Sequence, residues 1–415
     1  MKNKSNLIYY ILIALIILYP VIPNGLNIKG IHKIYPLGDV MLLILILAFI
    51  VSIIRDRVSF IHNVKNFFSD IMGISLIVLL LIMIISISYA FDRHTAITES
   101  ARFLSFVILY FIVKYNVDKE KIKGLINSYM VIFTGINIYG VFQKITGYGL
   151  FQGYAMGSNV LRTNATFGNP NSFAAFLIIG AFPVVMMIIR SKYIYQKSFY
   201  SILFIITLCN IYFTGSRNSY LALVVGAVVV SLLYSWYFIV GIGGIAVIGF
   251  IIPPVRARIL QIAVGDEGRI QIWRTALKMI ENHPLKGVGN GNFIELYDTY
   301  VSKYKYLAYK NYSHYPAHNS YLKIESELGI IGGLSFISII VNALIKVRNV
   351  IANVKDRKIN LFYIGFLASV VAFLFMNLFE NLFFVPSVVV YFWMFLAAAD
   401  GLLFTERLRH LQINN

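Results

Sequence analysis

The chain has 415 residues, of which 59% are hydrophobic and 13% charged, and its mean hydropathy is +0.75. A soluble core cannot absorb that much apolar surface, and apolar runs about as long as the roughly 20-residue helix that crosses a bilayer recur throughout. These runs are continuous and do not alternate as barrel strands do, so composition excludes a soluble globular protein and favours an all-α integral membrane protein.

Taken in chain order, the apolar runs predict about twelve spans. Residues 2–20 have a basic start and an apolar stretch without a small-residue cleavage site, so we expect a retained first helix. Three regions follow: residues 1–253 with nine spans, 254–318 as a large helical extracytoplasmic loop, and 319–415 with three spans and a cytoplasmic tail. The predicted spans are 7–22, 37–54, 70–90, 101–116, 124–143, 171–189, 198–213, 218–234, 237–253, 319–345, 360–377 and 385–404.

The basic residues that give the chain its net charge of +18 are distributed unevenly between the loops on the two sides of the membrane. With a cytoplasmic N-terminus, the inward loops carry nineteen Lys and Arg residues, and the short outward loops carry far fewer, among them Lys29, Lys33, Arg93, Arg102, Arg162 and Arg217. The positive-inside rule therefore predicts that both termini are cytoplasmic, with membrane lipids rather than nucleic acid as the partner of this charge. The single cysteine, Cys209, lies in an apolar run and excludes a disulfide framework.

The loop at residues 254–318 has the pattern of a helical lid. Apolar residues recur at helical spacing in two stretches, and turns separate the stretches. The glycine cluster at residues 287–291 follows no strand and lacks the lysine of a nucleotide-binding loop. A packed cap without chemistry is the alternative to a functional lid. The two apolar series are Ile270, Trp273, Leu277 and Ile280, and Phe293, Leu296 and Tyr300.

Three outward segments carry arginines that could bind a diphosphate, whose oxygens suit the planar, permanently charged guanidinium. The turn at residues 214–219 contains Arg217, and the first lid helix opens with Arg269, followed one turn later by Arg274. Arg162 precedes Asn169, which with Pro170 starts a helix whose outward N-terminus favours anions. The plain alternatives are side chains that snorkel to headgroups, solvated charges and simple helix caps.

The fourth segment is residues 316–322, where the lid re-enters the membrane. Asn319 or Ser320 is a suitable helix cap, which places His318 just outside a helix N-terminus. A neutral imidazole there could accept a proton from a sugar hydroxyl near pH 7, and an interfacial histidine that only bonds the backbone is the alternative. Lys323 and Glu327, four residues apart, are spaced to pair.

Acidic residues are scattered in the outward segments, and no Asp-x-Asp motif occurs there. Metal sites normally need clustered carboxylates or histidines. We therefore expect arginines, rather than a metal ion or another cofactor, to neutralise a diphosphate.

These segments together resemble the O-antigen ligase family, which includes O-antigen ligases, polysaccharide polymerases and related oligosaccharide transferases. The resemblance implies a fold similar to the multi-span C-type glycosyltransferases. It also implies metal-independent transfer of a glycan from undecaprenyl diphosphate to a hydroxyl of a lipid- or glycan-borne acceptor, on the outer face of the inner membrane, in surface polysaccharide synthesis. The matching stretches are residues 166–171, 215–217, 269–273, 283–289, 318–322 and 327–329.

Carried over by motif, Arg217 and Arg269 would bind the diphosphate, and His318 would be the base or the residue that orients the acceptor. The resemblance does not separate ligase from polymerase. A flippase or transporter of lipid-linked glycans is the competing class, but it would place charges at mid-membrane depth, where these spans have almost none. A membrane scaffold would not need the outward Arg and His set. Supporting candidates are Arg162, Asn169, Arg274, His283, His314 and Glu327.

Overall fold

The computed structural model describes residues 6–21, 36–155, 158–237, 267–309 and 312–413, with a few single positions between 240 and 256. Helices dominate these residues. They are α1 Asn6–Leu18, α2 Leu37–Arg55, α3 Arg57–Phe68, α4 Ile71–Ser86, α5 Arg93–Asn116, α6 Lys119–Thr146, α7 Pro170–Arg190, α8 Ile194–Thr214, α9 Arg217–Leu233, α10 Glu267–Asn282, α11 Phe293–Lys303, α12 Ser320–Asn353, α13 Arg357–Met376 and α14 Pro386–Ile413. Two 3-10 turns, Lys305–Leu307 and Leu382–Phe384, precede α12 and α14.

Eight of these helices are long and apolar enough to cross a membrane, so the chain is a multi-pass membrane protein. A ninth span results if the bent pair α3 and α4 is counted as one, and the apolar helices α1 and α9 are shorter. Eleven predicted spans fall on helices of the structure. The twelfth, 237–253, lies largely outside the described residues, and the count of twelve stays a prediction.

The centre of the bundle is formed by α7, α13 and α14, which are buried over most of their length. Helices α7 and α13 pack antiparallel and very closely: a Cβ at Gly365 would lie 2.6 Å from the Phe182 backbone. The Ser369 hydroxyl donates to the Ile178 carbonyl over 2.8 Å. Small residues at such contacts let membrane helices approach. This packing brings the start of α7 to the end of α13.

Helix α3 lies between the predicted spans 37–54 and 70–90, where the sequence analysis predicts no helix. Asp56 caps it by accepting from the Ser59 backbone N–H over 3.3 Å. The helix is bent by 85° from α4, so it turns across the direction of the span that follows. Its mixed composition is typical of a helix at a membrane surface.

Among the residues that the structure describes, a short hairpin is the exception to the all-helical prediction. Strands β1, Phe151–Ala155, and β2, Ser158–Arg162, pair antiparallel with Phe151 opposite Arg162. The chain leaving β2 is attached to the end of α8, because the Thr163 N–H donates to the Phe213 carbonyl over 3.1 Å. The hairpin thereby fixes Arg162 beside the turn between α8 and α9.

Lys114 and Lys346, which the prediction counts among the nineteen basic residues of the inner face, lie within α5 and α12 and belong to a partly buried group of four charges. Lys114 lies 2.7 Å from Asp70 and 2.8 Å from Asp400, and Lys346 bonds the same two carboxylates at 2.8 and 2.6 Å. The Tyr110 hydroxyl also donates to Asp400. Two cations and two anions cancel, so these lysines add no net charge to that face. They connect α5, α12 and α14 with the start of α4.

The two predicted lid helices are present as α10 and α11, and the apolar repeat of α10 is only partly buried. Ile270 and Leu277 are 46% and 54% exposed, whereas Ile272, Ala276 and Met279 are buried. These three pack with Phe293, Tyr297 and Tyr300 of α11 in a core separate from that of the bundle. Two of the four residues of the apolar repeat, Ile270 and Leu277, therefore lie on the side of α10 that faces away from this core.

Candidate active site

The carboxylate of Glu380 is the centre of a polar cluster in the break between α13 and α14. Glu380 is buried, at 7% exposure. Its Oε1 accepts from Asn171 Nδ2 at 2.7 Å and from Arg269 at 3.2 Å. Its Oε2 lies 3.0 Å from Nδ1 of His318. One carboxylate thus gathers side chains from the start of α7, the start of α10 and the residue pair before α12.

The His318 backbone is held to the Glu380 turn by a set of cross-links. The Asn319 N–H donates to Asn381 Oδ1 at 3.0 Å, and the Ser320 N–H donates to the Asn377 carbonyl at 2.9 Å. The Ser320 hydroxyl donates to Asn377 Oδ1 at 2.7 Å. Asn319 is the helix cap, accepting from two N–H groups of the first turn. The imidazole and the carboxylate therefore meet in a preorganised arrangement.

His318 itself has a left-handed backbone, with φ of 46°. Residues other than glycine rarely adopt this region, and such strain persists only where the surroundings enforce it. With Glu380 ionised, Nδ1 of His318 carries the proton and donates, which leaves Nε2 as the acceptor. An imidazole oriented in this way by a carboxylate has the tautomer of a general base.

Arg162 extends the cluster towards the turn between α8 and α9. Its Nε donates to the Thr214 carbonyl at 2.5 Å, and its Nη2 donates to Asn171 Oδ1 at 3.0 Å. Asn171 therefore links Arg162 to Glu380. Arg217 begins α9 three residues after Thr214, behind Gly215 with φ of 59°, and is partly buried. The turn before Arg217 is thus joined to Glu380 through Arg162 and Asn171, and Arg269 bonds Glu380 directly.

Several sequence candidates lie elsewhere in the structure. Asn169 caps α7 by accepting from the Asn171 N–H at 2.7 Å, and it is Asn171 that reaches Glu380. Arg274 and His283 are exposed on the lid. His314 is exposed as well, 3.7 Å from Glu295 of α11. None of these four contacts Glu380 through a hydrogen bond or an ion pair within the described residues.

Glu327 holds the lid to α12. It accepts from the N–H groups of Gly291 at 2.9 Å and Phe293 at 3.0 Å, at the start of α11, and its Oε2 lies 2.6 Å from Lys323 Nζ. A carboxylate is favourable at a helix N-terminus. The spacing of Lys323 and Glu327 indicated the pair, but not the lid contact.

The lid glycines serve the same attachment. A Cβ at Gly287, which has φ of 68°, would lie 2.3 Å from the Glu327 backbone carbon. The N–H groups of Val288 and Gly289 donate to the carbonyls of Ser326 and Glu327, each at 2.9 Å. The turn between α10 and α11 therefore packs backbone against backbone on α12, which explains the glycine cluster without a ligand.

A row of aromatic rings leads along the lid to His318. The rings of Tyr309 and Tyr312 are 5.3 Å apart, those of Tyr312 and Tyr315 are stacked at 4.3 Å, and Tyr315 lies 5.5 Å from the imidazole. The side chains of Tyr309 and Tyr312 also adjoin Gly268, next to Arg269. The row therefore borders the cluster on the lid side.

Glu380 and Asn171 are the members that sequence reasoning missed. Glu380 is an acidic residue in a short break between two apolar spans, and it follows His318 by 62 residues in the chain. An ionisable residue within a membrane-spanning region is a functional candidate by default, and this property could have identified it. Within the described ranges, no group of three or more His, Cys, Asp or Glu side chains is placed to hold a metal ion.

Residues 202–337, about a third of the chain, match the family model described as O-antigen ligase. The interval includes the Arg217 turn, the lid helices, His318 and the first half of α12. It ends before Glu380 and begins after Arg162 and Asn171. The chain has no match among curated proteins. The match confirms the resemblance drawn from the outward motifs.

Proposed function

We propose that this chain, a member of the O-antigen ligase family, is a glycosyltransferase that moves a glycan from undecaprenyl diphosphate to an acceptor hydroxyl on the outer face of the inner membrane. The observation that supports it best is the bonding of His318 and Arg269 to the same buried carboxylate, Glu380. A proton acceptor and a permanent cation are thereby bonded to the two oxygens of one carboxylate. Glycosyl transfer from a diphosphate needs both functions at one place.

In the proposed reaction, the acceptor oxygen forms a bond to the anomeric carbon as the bond between that carbon and the diphosphate oxygen breaks. The hydroxyl proton passes to Nε2 of His318. The electron pair of the broken bond leaves with the undecaprenyl diphosphate. Direct attack inverts the anomeric centre. Glu380 acts as a positioning residue, which fixes the tautomer and stabilises the imidazolium that forms.

Arg217 and Arg269 are proposed to neutralise the charge on the departing diphosphate. A guanidinium carries five N–H donors in a rigid fork, so contact with Glu380 is compatible with a contact to phosphate oxygens. Arg162 supports the same region through Asn171 and the Thr214 carbonyl. Charge placed in advance where it develops in the transition state is commonly the largest contribution to catalysis.

The acceptor glycan is proposed to approach along the lid, over the tyrosines that lead to His318. Aromatic faces provide rigid, amphipathic contact surface. Ligase and polymerase differ in the acceptor and not in this chemistry, so the proposal covers both. A transporter of lipid-linked glycans is the competing function, and the convergence of a base and arginines at one end of the bundle favours transfer.

The test is transfer of glycan from purified undecaprenyl-diphosphate donor by the full-length protein with His318→Ala. We expect turnover to fall by about 10²–10⁴-fold, with donor binding largely kept. His314→Ala is the matched control, because that histidine is exposed on the same lid beside another glutamate, and it should transfer normally. Near-normal transfer by well-expressed His318→Ala would remove His318 from the mechanism.

A further inference from the structure

We propose that the cleft formed by the ends of α6, α7, α8 and α13 farthest from Glu380 binds the headgroup of an anionic phospholipid that carries more than one phosphate. The cleft has a volume of about 670 Å³. Small-molecule sites commonly measure about 300–1,000 Å³. The cleft is lined by Lys123, Asn127, Arg190, Lys192, Tyr193, Gln196, Asp356, Arg357 and Lys358.

The cleft and the Glu380 cluster lie at opposite ends of the same helices. Asn171 is at the first turn of α7 and Arg190 is its last residue, 21 residues being about 30 Å of helix. That is about the thickness of the hydrocarbon core. In α13, likewise, Arg357 and Lys358 open the helix and Glu380 follows its end. The cleft therefore belongs to the opposite membrane surface and is a separate site.

The charge of the cleft is strongly unbalanced. Five of its lining side chains are cationic and one, Asp356, is acidic. Although partial burial opposes the charged form, the bond from Lys123 at 2.9 Å helps to hold the pKa of Asp356 below its usual range. Among the described residues, no carboxylate forms an ion pair with Arg190, Lys192 or Arg357. Gathering like charges is costly unless an anion joins them, so the cleft is suited to a ligand with several negative charges.

The surroundings of the cleft favour a lipid over a soluble phosphate. Tyr193 and Tyr195 stack at 5.5 Å and are 60% and 65% exposed, with Ile194 between them 78% exposed. Aromatic side chains at the ends of spans occupy the headgroup region of a bilayer. Basic pockets between spanning helices at the cytoplasmic side are known sites for multiply phosphorylated headgroups. The cleft combines both features.

The test compares lipid binding by the full-length protein and two double variants. Arg190→Gln with Lys192→Gln removes one arginine and one lysine from the cleft. Arg348→Gln with Lys197→Gln removes the same charges from exposed positions outside it and is the matched control. Each purified protein is titrated with cardiolipin, phosphatidylglycerol and phosphatidylcholine in detergent. Retained lipid is counted by native mass spectrometry, and the lipid-induced rise in Tm is recorded.

Wild type and control should retain cardiolipin preferentially, and the cleft variant should bind it roughly tenfold to thirtyfold more weakly. Unchanged binding by the cleft variant, or an equal loss in the control, would overturn the proposal. A parallel titration with inorganic pyrophosphate distinguishes a lipid headgroup from a soluble phosphate as the ligand of the cleft. A Tm rise with pyrophosphate that equals the rise with cardiolipin would show a site for soluble anions and overturn the lipid assignment. Neither measurement depends on glycan transfer, so the result stands apart from the proposed enzymatic function.

Discussion

His318 and Glu380 are 62 residues apart in the chain, yet Nδ1 of the histidine lies 3.0 Å from Oε2 of the glutamate. The bond joins the residue before α12 to the break between α13 and α14. The same carboxylate bonds Arg269 of the lid. The lid is therefore connected to the bundle at the point where the proposed base is oriented.

Glu380→Gln should lower glycan transfer by about 10²-fold or more, because the amide can present an N–H to Nδ1 and so favour the wrong imidazole tautomer. A positioning role also predicts strong non-additivity: His318→Ala should cost little further in the Glu380→Gln background. The measurement is turnover of the two single variants and the double variant. Glu295→Gln, beside the exposed His314, is the control and should be neutral. Additive losses would show that Glu380 acts independently of His318.

Arg217→Lys should remain impaired although it keeps the charge, because lysine lacks the bidentate fork that binds phosphate oxygens. Arg217→Ala and Arg269→Ala should each lower the rate by about 10²–10³-fold and weaken donor binding. Exposed Arg274→Ala on the same lid helix is the control. Donor affinity and turnover are measured separately for each variant. Full activity of Arg217→Lys would reduce its role to that of a point charge.

Transfer should persist in excess EDTA, because Arg217 and Arg269, rather than a metal ion, are proposed to neutralise the diphosphate. Initial rates before and after chelation test this. A parallel sample receives Mg²⁺ or Mn²⁺ after EDTA, which controls for inhibition by the chelator itself. Activity lost in EDTA and restored by either ion would contradict the prediction.

The sequence predicted the helices that are continuous apolar runs long enough to span a membrane. It missed the elements whose formation depends on tertiary contacts. Spans such as α7 and α13 follow from continuous apolar runs. The hairpin at 151–162 is short and its placement depends on contact with Phe213, and α3 is a surface helix of mixed composition. For α10, the predicted helical spacing was correct. Spacing alone could not show that Ile272, Ala276 and Met279 form the face packed on α11.

The candidate site was predictable only in part, for a similar reason. His318, Arg217 and Arg269 are recognised from local motifs, and each lies in or beside the start of a helix. Glu380 has no such motif, and its partners come from positions 171, 269 and 318. Long-range convergence of this kind is set by the antiparallel packing of α7 on α13, through contacts such as Gly365 against Phe182. Which residues of the two helices lie opposite each other in that packing cannot be predicted from one sequence.

The last prediction concerns the side of the membrane on which the lid lies. Single cysteines at Lys286 and Lys303, both exposed, in a Cys209→Ser background should react with an impermeant thiol reagent in intact cells or spheroplasts. Replacement of Cys209 is needed because it is itself exposed on the bundle. A cysteine at Lys197, at the end of the bundle that holds the basic cleft, is the opposite-side control and should react only after lysis.

The expected location of the lid rests on the excess of basic residues in the inward loops. This excess remains when Lys114 and Lys346, which are neutralised by Asp70 and Asp400, are left out of the count. Labelling of the two lid positions only after lysis, with Lys197 reactive in intact cells, would invert the topology. It would place the Glu380 cluster in the cytoplasm, where a donor carried on the outer leaflet could not reach it.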